Sequence, residues 1–276
     1  MDGSNVDAGL IRFASASADA PVAVAVLSAA AERIARPAGL DDVDHARVRD
    51  SCDMLRSSSL AGLLGELFSG VESAPTVIES ISRYCVLDHC ALMVFPDDFD
   101  AALDTLVELG ATPGPVVPSV IVKARLAERY GVPADSLDVR ICHATPAGTA
   151  AVPGGRRPTI ELFMLRPSAD LPGGILERER GQDLERHVAL RLVEPDAAVI
   201  EFLRQVLREQ AGFGWDGGGY NPHDDADAGG TSALYFLGWS RDPAGGVPRR
   251  QRLEIKFHGA FPTMDLPAPD GPPAGE

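Results

Sequence analysis

The chain has 276 residues, 45% of them hydrophobic, enough to bury one large core or two modest ones. A formal net charge of −15 excludes nucleic acid and anionic membrane as natural partners, because both select a basic surface. No apolar run approaches the roughly 20 residues that cross a bilayer, and the N-terminus lacks the basic and apolar regions of a signal peptide. Four cysteines without a CxxC pair read as isolated thiols, which places the chain in a reducing cytoplasm. The abundance of Ala, Gly, Pro, Arg and Asp fits a GC-rich bacterial genome.

In chain order, residues 1–83 read as a helical region. "PVAVAVLSAAAERIAR" and "SLAGLLGELFSG" are helix patterns, and "TVIESISRY" offers a capping box, Thr76 with Glu79. His45 lies in a charged stretch and is expected to be solvated. From residue 84 the pattern changes. "VLDHCALMVF" predicts a strand, and Asp97 or Asp98 caps the helix "FDAALDTLVELG". "TPGPVVPS" reads as a loop, "VIVKARLAERYG" as a helix, and "SLDVRICHA" and "PTIELFML" as strands. This first unit is expected to span 84–170. A second unit, 183–261, repeats the order: strand "RHVALRLV", helix "DAAVIEFLRQVLREQ", a glycine-rich loop "GFGWDGGGYNPHDDADAGG", then strands "SALYFLGW" and "QRLEIKFHG". Residues 262–276 are rich in Pro and Gly and are expected to be disordered.

The halves match in detail. His89 and His187 are each followed by Ala at +2 and Leu at +3, with a proline at +7 or +8. Each closing strand follows an arginine pair, with a glutamate five residues after the first arginine. The histidines are 98 residues apart and the glutamates, Glu161 and Glu254, are 93 apart. The pattern indicates an internal duplication.

Side chains alternate across a strand, so parity assigns faces. His89 is expected to share a face with Leu87, Ala91 and Met93, and His187 with Ala189 and Arg191. Glu254 falls with Arg252, Lys256 and His258. A carboxylate in mid-strand is costly unless paired or coordinated, so two histidines and two glutamates from matching strands could converge on one divalent metal. Imidazole and carboxylate suit Fe(II), Mn(II), Zn(II), Ni(II) or Co(II). A salt bridge to Arg156 or Arg157 would also account for Glu161.

Arg191 could hold a substrate carboxylate or phosphate, or pair with Glu161 or Glu254. Lys256 and His258 are candidate acid/base groups, His143 reads as a packed histidine, and His223 could belong to a lid hinged at glycines 217–219 and 229–230.

"DHCALMV", "IELFM", "HVALRL" and "RLEIKF" together resemble the vicinal oxygen chelate superfamily, the glyoxalase/bleomycin-resistance/dioxygenase fold, over residues 85–260. The resemblance implies an α+β fold: two tandem βαβββ modules forming a cupped mixed sheet, here preceded by the N-terminal helical region. It also implies a metal site of His89, His187, Glu254 and Glu161, with histidine from each first strand and glutamate from each last strand. Three ligands, His89, His187 and Glu254, leave room for substrate and O2, as in Fe(II) dioxygenases. The module lengths and Arg191 favour that reading, with Fe(II) as the metal and a small anionic metabolite as substrate. A fourth ligand, Glu161, would favour redox-neutral isomerase, epimerase or lyase chemistry instead. A metal-free binding protein of the same fold is the remaining alternative. The N-terminal helices are expected to cover the sheet or to form a homodimer.

Overall fold

The computed structural model describes residues 39–168, 171–222, 224, 229–240 and 248–260. The expected helix at 21–36, His223 and the tail from 262 lie outside the described residues. Among the described residues, three helices come first: α1 (Asp42–Ser57), α2 (Leu60–Leu67) and α3 (Ala74–Tyr84). The first module follows as β1 (Cys85–Val94), α4 (Phe99–Glu108), β2 (Ala111–Pro118), α5 (Val120–Tyr130), β3 (Val139–Pro146) and β4 (Thr159–Leu165). Helix α6 (Ile175–Gln182) leads to the second: β5 (His187–Leu192), α7 (Ala197–Gln205) with a π-helical turn, β6 (Gly214–Asn221), β7 (Thr231–Ser240) and β8 (Arg249–His258).

The strands form one open, mixed sheet in the order β2-β3-β4-β1-β5-β8-β7-β6. Exchanging β1–β4 with β5–β8 reads that order backwards, so a pseudo-two-fold axis passes between β1 and β5. These two strands are antiparallel, while β1 runs parallel to β4 and β5 to β8. The repeated proline-aspartate motif acts as a repeated helix start: Asp98 accepts from the Ala101 N–H (3.0 Å), and Asp196 from the Ala198 N–H (2.8 Å).

One sheet face packs on the helices. Val48 and Leu55 of α1, Ile81 of α3, Leu106 of α4 and Leu203 of α7 meet Ile160, Leu162, Leu190 and Ile255 in the main core. The opposite face carries a smaller apolar cluster over the first module, with Met93, Phe163 and Leu165 beneath Val122 and Leu126 of α5 and Ile175 of α6. Among the described residues, no helix is long and apolar enough to cross a membrane.

Several expectations are corrected. Residues 111–118 form edge strand β2, not a loop. Its prolines are tolerated because it is an edge strand, and the ladder to β3 slips between Pro113 and Val116. Residues 214–221 of the expected glycine-rich loop are β6, hydrogen-bonded to β7, so Gly217–Gly219 are sheet residues and not hinges. The Thr76/Glu79 capping box does not form: α3 starts three residues earlier, and Ser73 at its N-cap donates its hydroxyl to the Gln210 carbonyl instead. Helix α6, too charged to show an apolar stripe, was not anticipated.

Parity also fails at one place in β1. Leu87 pairs with Leu190 and His89 with Ala189, so Asp88 is an extra residue in a β-bulge. The bulge turns Leu87 into the helix-side core, with Cys90 and Leu92, and away from the face that carries His89.

Candidate metal centre

The site straddles the seam between modules. His89 on β1 stands opposite Ala189, and His187 on β5 stands opposite Ala91, so each imidazole leans over the small side chain of the other module. Beside them, Glu161 on β4 is in register with Ala91, and Glu254 on β8 with Ala189. All four expected ligands thus come from the four central strands.

Their donor atoms converge. His89 Nε2 and His187 Nε2 are 3.3 Å apart. Glu161 Oε2 lies 3.5 Å from the first and 3.6 Å from the second. Glu254 Oε2 lies 3.7 Å from His89 Nε2 and 3.1 Å from His187 Nε2. An ion bonded at roughly 2.0–2.2 Å holds its donors roughly 2.8–3.6 Å apart across right-angled and tetrahedral angles. Four of the five observed separations fall in that range, and His89 Nε2 to Glu254 Oε2, at 3.7 Å, lies just beyond it. The donor atoms of His89, Glu161 and His187 all lie within 4.8 Å of one another, a set that does not include Glu254.

The imidazoles are oriented from behind. His89 Nδ1–H donates to Asp88 Oδ2 (3.0 Å), and His187 Nδ1–H to the Glu185 carbonyl (2.9 Å). Both acceptors fix a proton on Nδ1, so each Nε2 faces the centre, available to a metal ion or, in its absence, to a proton on His89. The same second-sphere pattern orients histidines that bind metals. The electrostatics agree. Burial alone would push the His89 pKa down, but Glu161, Asp88 and Glu254 outweigh it and raise the pKa to about 10. Burial would raise the Glu161 carboxyl, but His89 and His187 bring it down to about 2. Glu254 is likewise held below the usual range against its burial, chiefly by the hydrogen bond with His187. The cluster is a buried, anionic pocket that calls for positive charge. These residues fit a divalent ion.

Two βαβββ modules, paired across a pseudo-two-fold and each giving a histidine from its first strand and a glutamate from its last, form the arrangement that the sequence resemblance implied. The fold is vicinal oxygen chelate-like. No protein-family model matches the chain, and no curated protein matches it. Among solved structures, a methylmalonyl-CoA epimerase is 14% identical, aligns with 62% of this chain and 96% of its own, and has a TM-score of 0.34. An uncharacterized protein from Shigella flexneri, YdcJ, which includes domain DUF1338, is 13% identical over 82% of this chain and 70% of its own, with a TM-score of 0.33.

The remaining expected residues surround this cluster. Arg191 pairs with neither Glu161 nor Glu254: its Nε donates to Asp88 Oδ1 (2.7 Å) and its Nη1 faces His258 Nε2 at 3.2 Å. His258 is thereby tied to Arg191. Lys256 Nζ lies 2.8 Å from Asp224 Oδ2. Glu161 is accounted for by histidines, without Arg156 or Arg157 among the ion pairs described for it. His143 is not a packed histidine. About half its side chain is exposed at the rim of the site, with Nε2 3.4 Å from Glu161 Oε1.

Two further groups were missed. Asp88 sits on the site face because of the bulge, which a strict alternation of two cannot show. Tyr235 faces Glu254 on β7 as His143 faces Glu161 on β3, and each ring meets a ligand histidine edge-on, with centroids 6.1 Å apart. Register, not composition, reveals that equivalence. Arg252 lies 4.3 Å over the Tyr235 ring and Arg125 lies 5.6 Å from it, closing that flank.

Proposed function

We propose that the chain is a mononuclear divalent-metal enzyme in which His89, His187, Glu161 and Glu254 hold the ion. The observation that carries this reading is the convergence of His89, His187 and Glu161, whose donor atoms all lie within 4.8 Å of one another, with Glu254 Oε2 3.1 Å from His187 Nε2 beside that set. With Glu254 as a fourth donor, the site would leave two positions at six-coordination, enough for a substrate that chelates through two oxygens. The ion would supply Lewis-acid polarisation of those oxygens. Asp88 and the Glu185 carbonyl keep the imidazole protons on Nδ1, and Arg191 holds Asp88 in place. The closed flank of Tyr235, Arg125 and Arg252 keeps bulk water from the His187 side. Redox-neutral chemistry, an isomerisation, epimerisation or lyase reaction, fits a four-donor site best, with Zn(II), Ni(II), Co(II) or Mn(II).

The oxygenase reading with Fe(II) stays as the second. It is favoured by the set His89, His187 and one glutamate, which leaves a third position for O2. Metal analysis tests the shared premise: protein purified without chelator should carry one divalent ion per chain, and His187→Ala should carry less than a tenth of that. A wild-type chain that takes up none of these ions, including Fe(II) under anaerobic conditions, would reject both readings. It would leave a metal-free binding protein. Substrate-dependent oxygen uptake by the Fe(II) form would select the oxygenase.

A further inference from the structure

The pseudo-two-fold makes the two sides of the site directly comparable, and they differ. Met93 stands opposite Phe163 two residues beyond the Ala91–Glu161 pair, as Arg191 stands opposite Lys256 two residues beyond Ala189–Glu254. In the first module these positions are apolar and sealed beneath Val122, Leu126 and Ile175. In the second they are cations. A duplicated scaffold therefore carries a greasy plug at one end of its metal centre and charge at the other.

Solvent reaches the charged end at Lys256, whose side chain is 15% exposed, and reaches the donors chiefly at Glu161. Glu161 is the most exposed of the four donors, at 13% of its side chain against 3–6% for the rest. His143 stands beside it with about half its side chain exposed. Lys256 lies two residues beyond Glu254 on the same face of β8, in register with Arg191, and its charge acts on His143, Glu254 and Asp88. Its partner Asp224 is 42% exposed and belongs to the turn after β6, not to the sheet. Arg191 is differently placed. Releasing it from Asp88 would leave unanchored the carboxylate that orients His89.

We propose that Lys256 anchors an anionic group of the substrate, a small molecule that chelates the metal at one end and carries a carboxylate or phosphate at the other. This rests on the metal centre proposed above. Asp224 holds the ammonium when the site is free, and the substrate's anion takes its place. One anion replaces another, so the exchange leaves the local charge balance unchanged. Lys256, rather than Arg191, then sets the substrate's charge, because it alone of the two can change partner without disturbing a metal ligand.

Two kinds of chelator test this on Co(II)-loaded protein, read through the cobalt absorption bands. Acetohydroxamate offers a chelating head alone; the monohydroxamates of succinate and glutarate add a carboxylate arm. At least one carboxylate-bearing chelator should bind the wild type about tenfold or more tighter than acetohydroxamate, as expected of a charge-assisted hydrogen bond. Lys256→Met should abolish that advantage while Co(II) and acetohydroxamate affinities hold, which also shows that the variant is folded. Asp224→Asn should enlarge the advantage severalfold. Equal affinities in the wild type, or an advantage that survives Lys256→Met, overturn the proposal. A wild type that binds no Co(II) overturns the metal centre itself, and that failure is seen before any chelator is added.

Discussion

Asp88 shows how one residue controls this site. Its carboxylate accepts from His89 Nδ1 (3.0 Å) and Arg191 Nε (2.7 Å), linking a ligand of the first module to the second. Asp88→Asn should weaken metal binding about 10- to 100-fold, the usual effect of losing a second-sphere partner, and a chelator competition assay measures it. The two glutamates make a sharper pair. If both bind the ion, Glu161→Gln and Glu254→Gln should each lower metal affinity by at least about tenfold. An unchanged affinity in Glu161→Gln would instead give the three-ligand site and favour the oxygenase. At this scale the sequence was informative about the four donors, because a period of two and a repeated pattern point to the same face. It was silent on Asp88, since a single bulge residue reverses the period. His143 was misjudged because parity names its neighbours along β3 but not the open rim above them.

At the scale of elements, what was legible is what local chemistry dictates. The Asp-capped helices α4 and α7 and the alternating strands β1, β4, β5 and β8 carry their own signals. Strands β2 and β6 do not: three prolines in one and a run of glycines in the other suppress local β preference, and the neighbouring strand supplies the ladder. Close packing replaces propensity on that side of the sheet. A Cβ on Gly238 of β7 would fall 2.4 Å from the ring of Phe213, itself 1% exposed. Gly238→Val is therefore expected to destabilise the fold by roughly 1–3 kcal/mol, the usual cost of overpacking, and chemical denaturation would read it. Its distance along β7 from the donors predicts that metal affinity in the folded variant stays unchanged.

For the whole molecule, the duplication and the site are one fact. The β1–β5 seam joins the modules, and His89, His187, Glu161 and Glu254 all reach across or beside it. Without an ion, buried carboxylates and imidazoles crowd that seam, and protonated His89 is the charge that offsets them. With an ion, each module gives two donors to a common centre, so unfolding either half should cost the metal's binding energy. An ion that binds the folded chain alone stabilises it by RT ln(1 + [M]/Kd), about 2.7 kcal/mol at a hundredfold excess over Kd. For a chain of this size that corresponds to a rise of roughly 5–10 °C in Tm. Calorimetry on chelator-treated protein, with and without added Zn(II) or Co(II), should show a rise of this order as one cooperative transition. In His187→Ala the same addition should leave Tm nearly unmoved, because the centre loses the donor nearest to Glu254. A metal-induced rise of equal size in His187→Ala would place the stabilising ion elsewhere and remove the seam site's claim to hold the modules together.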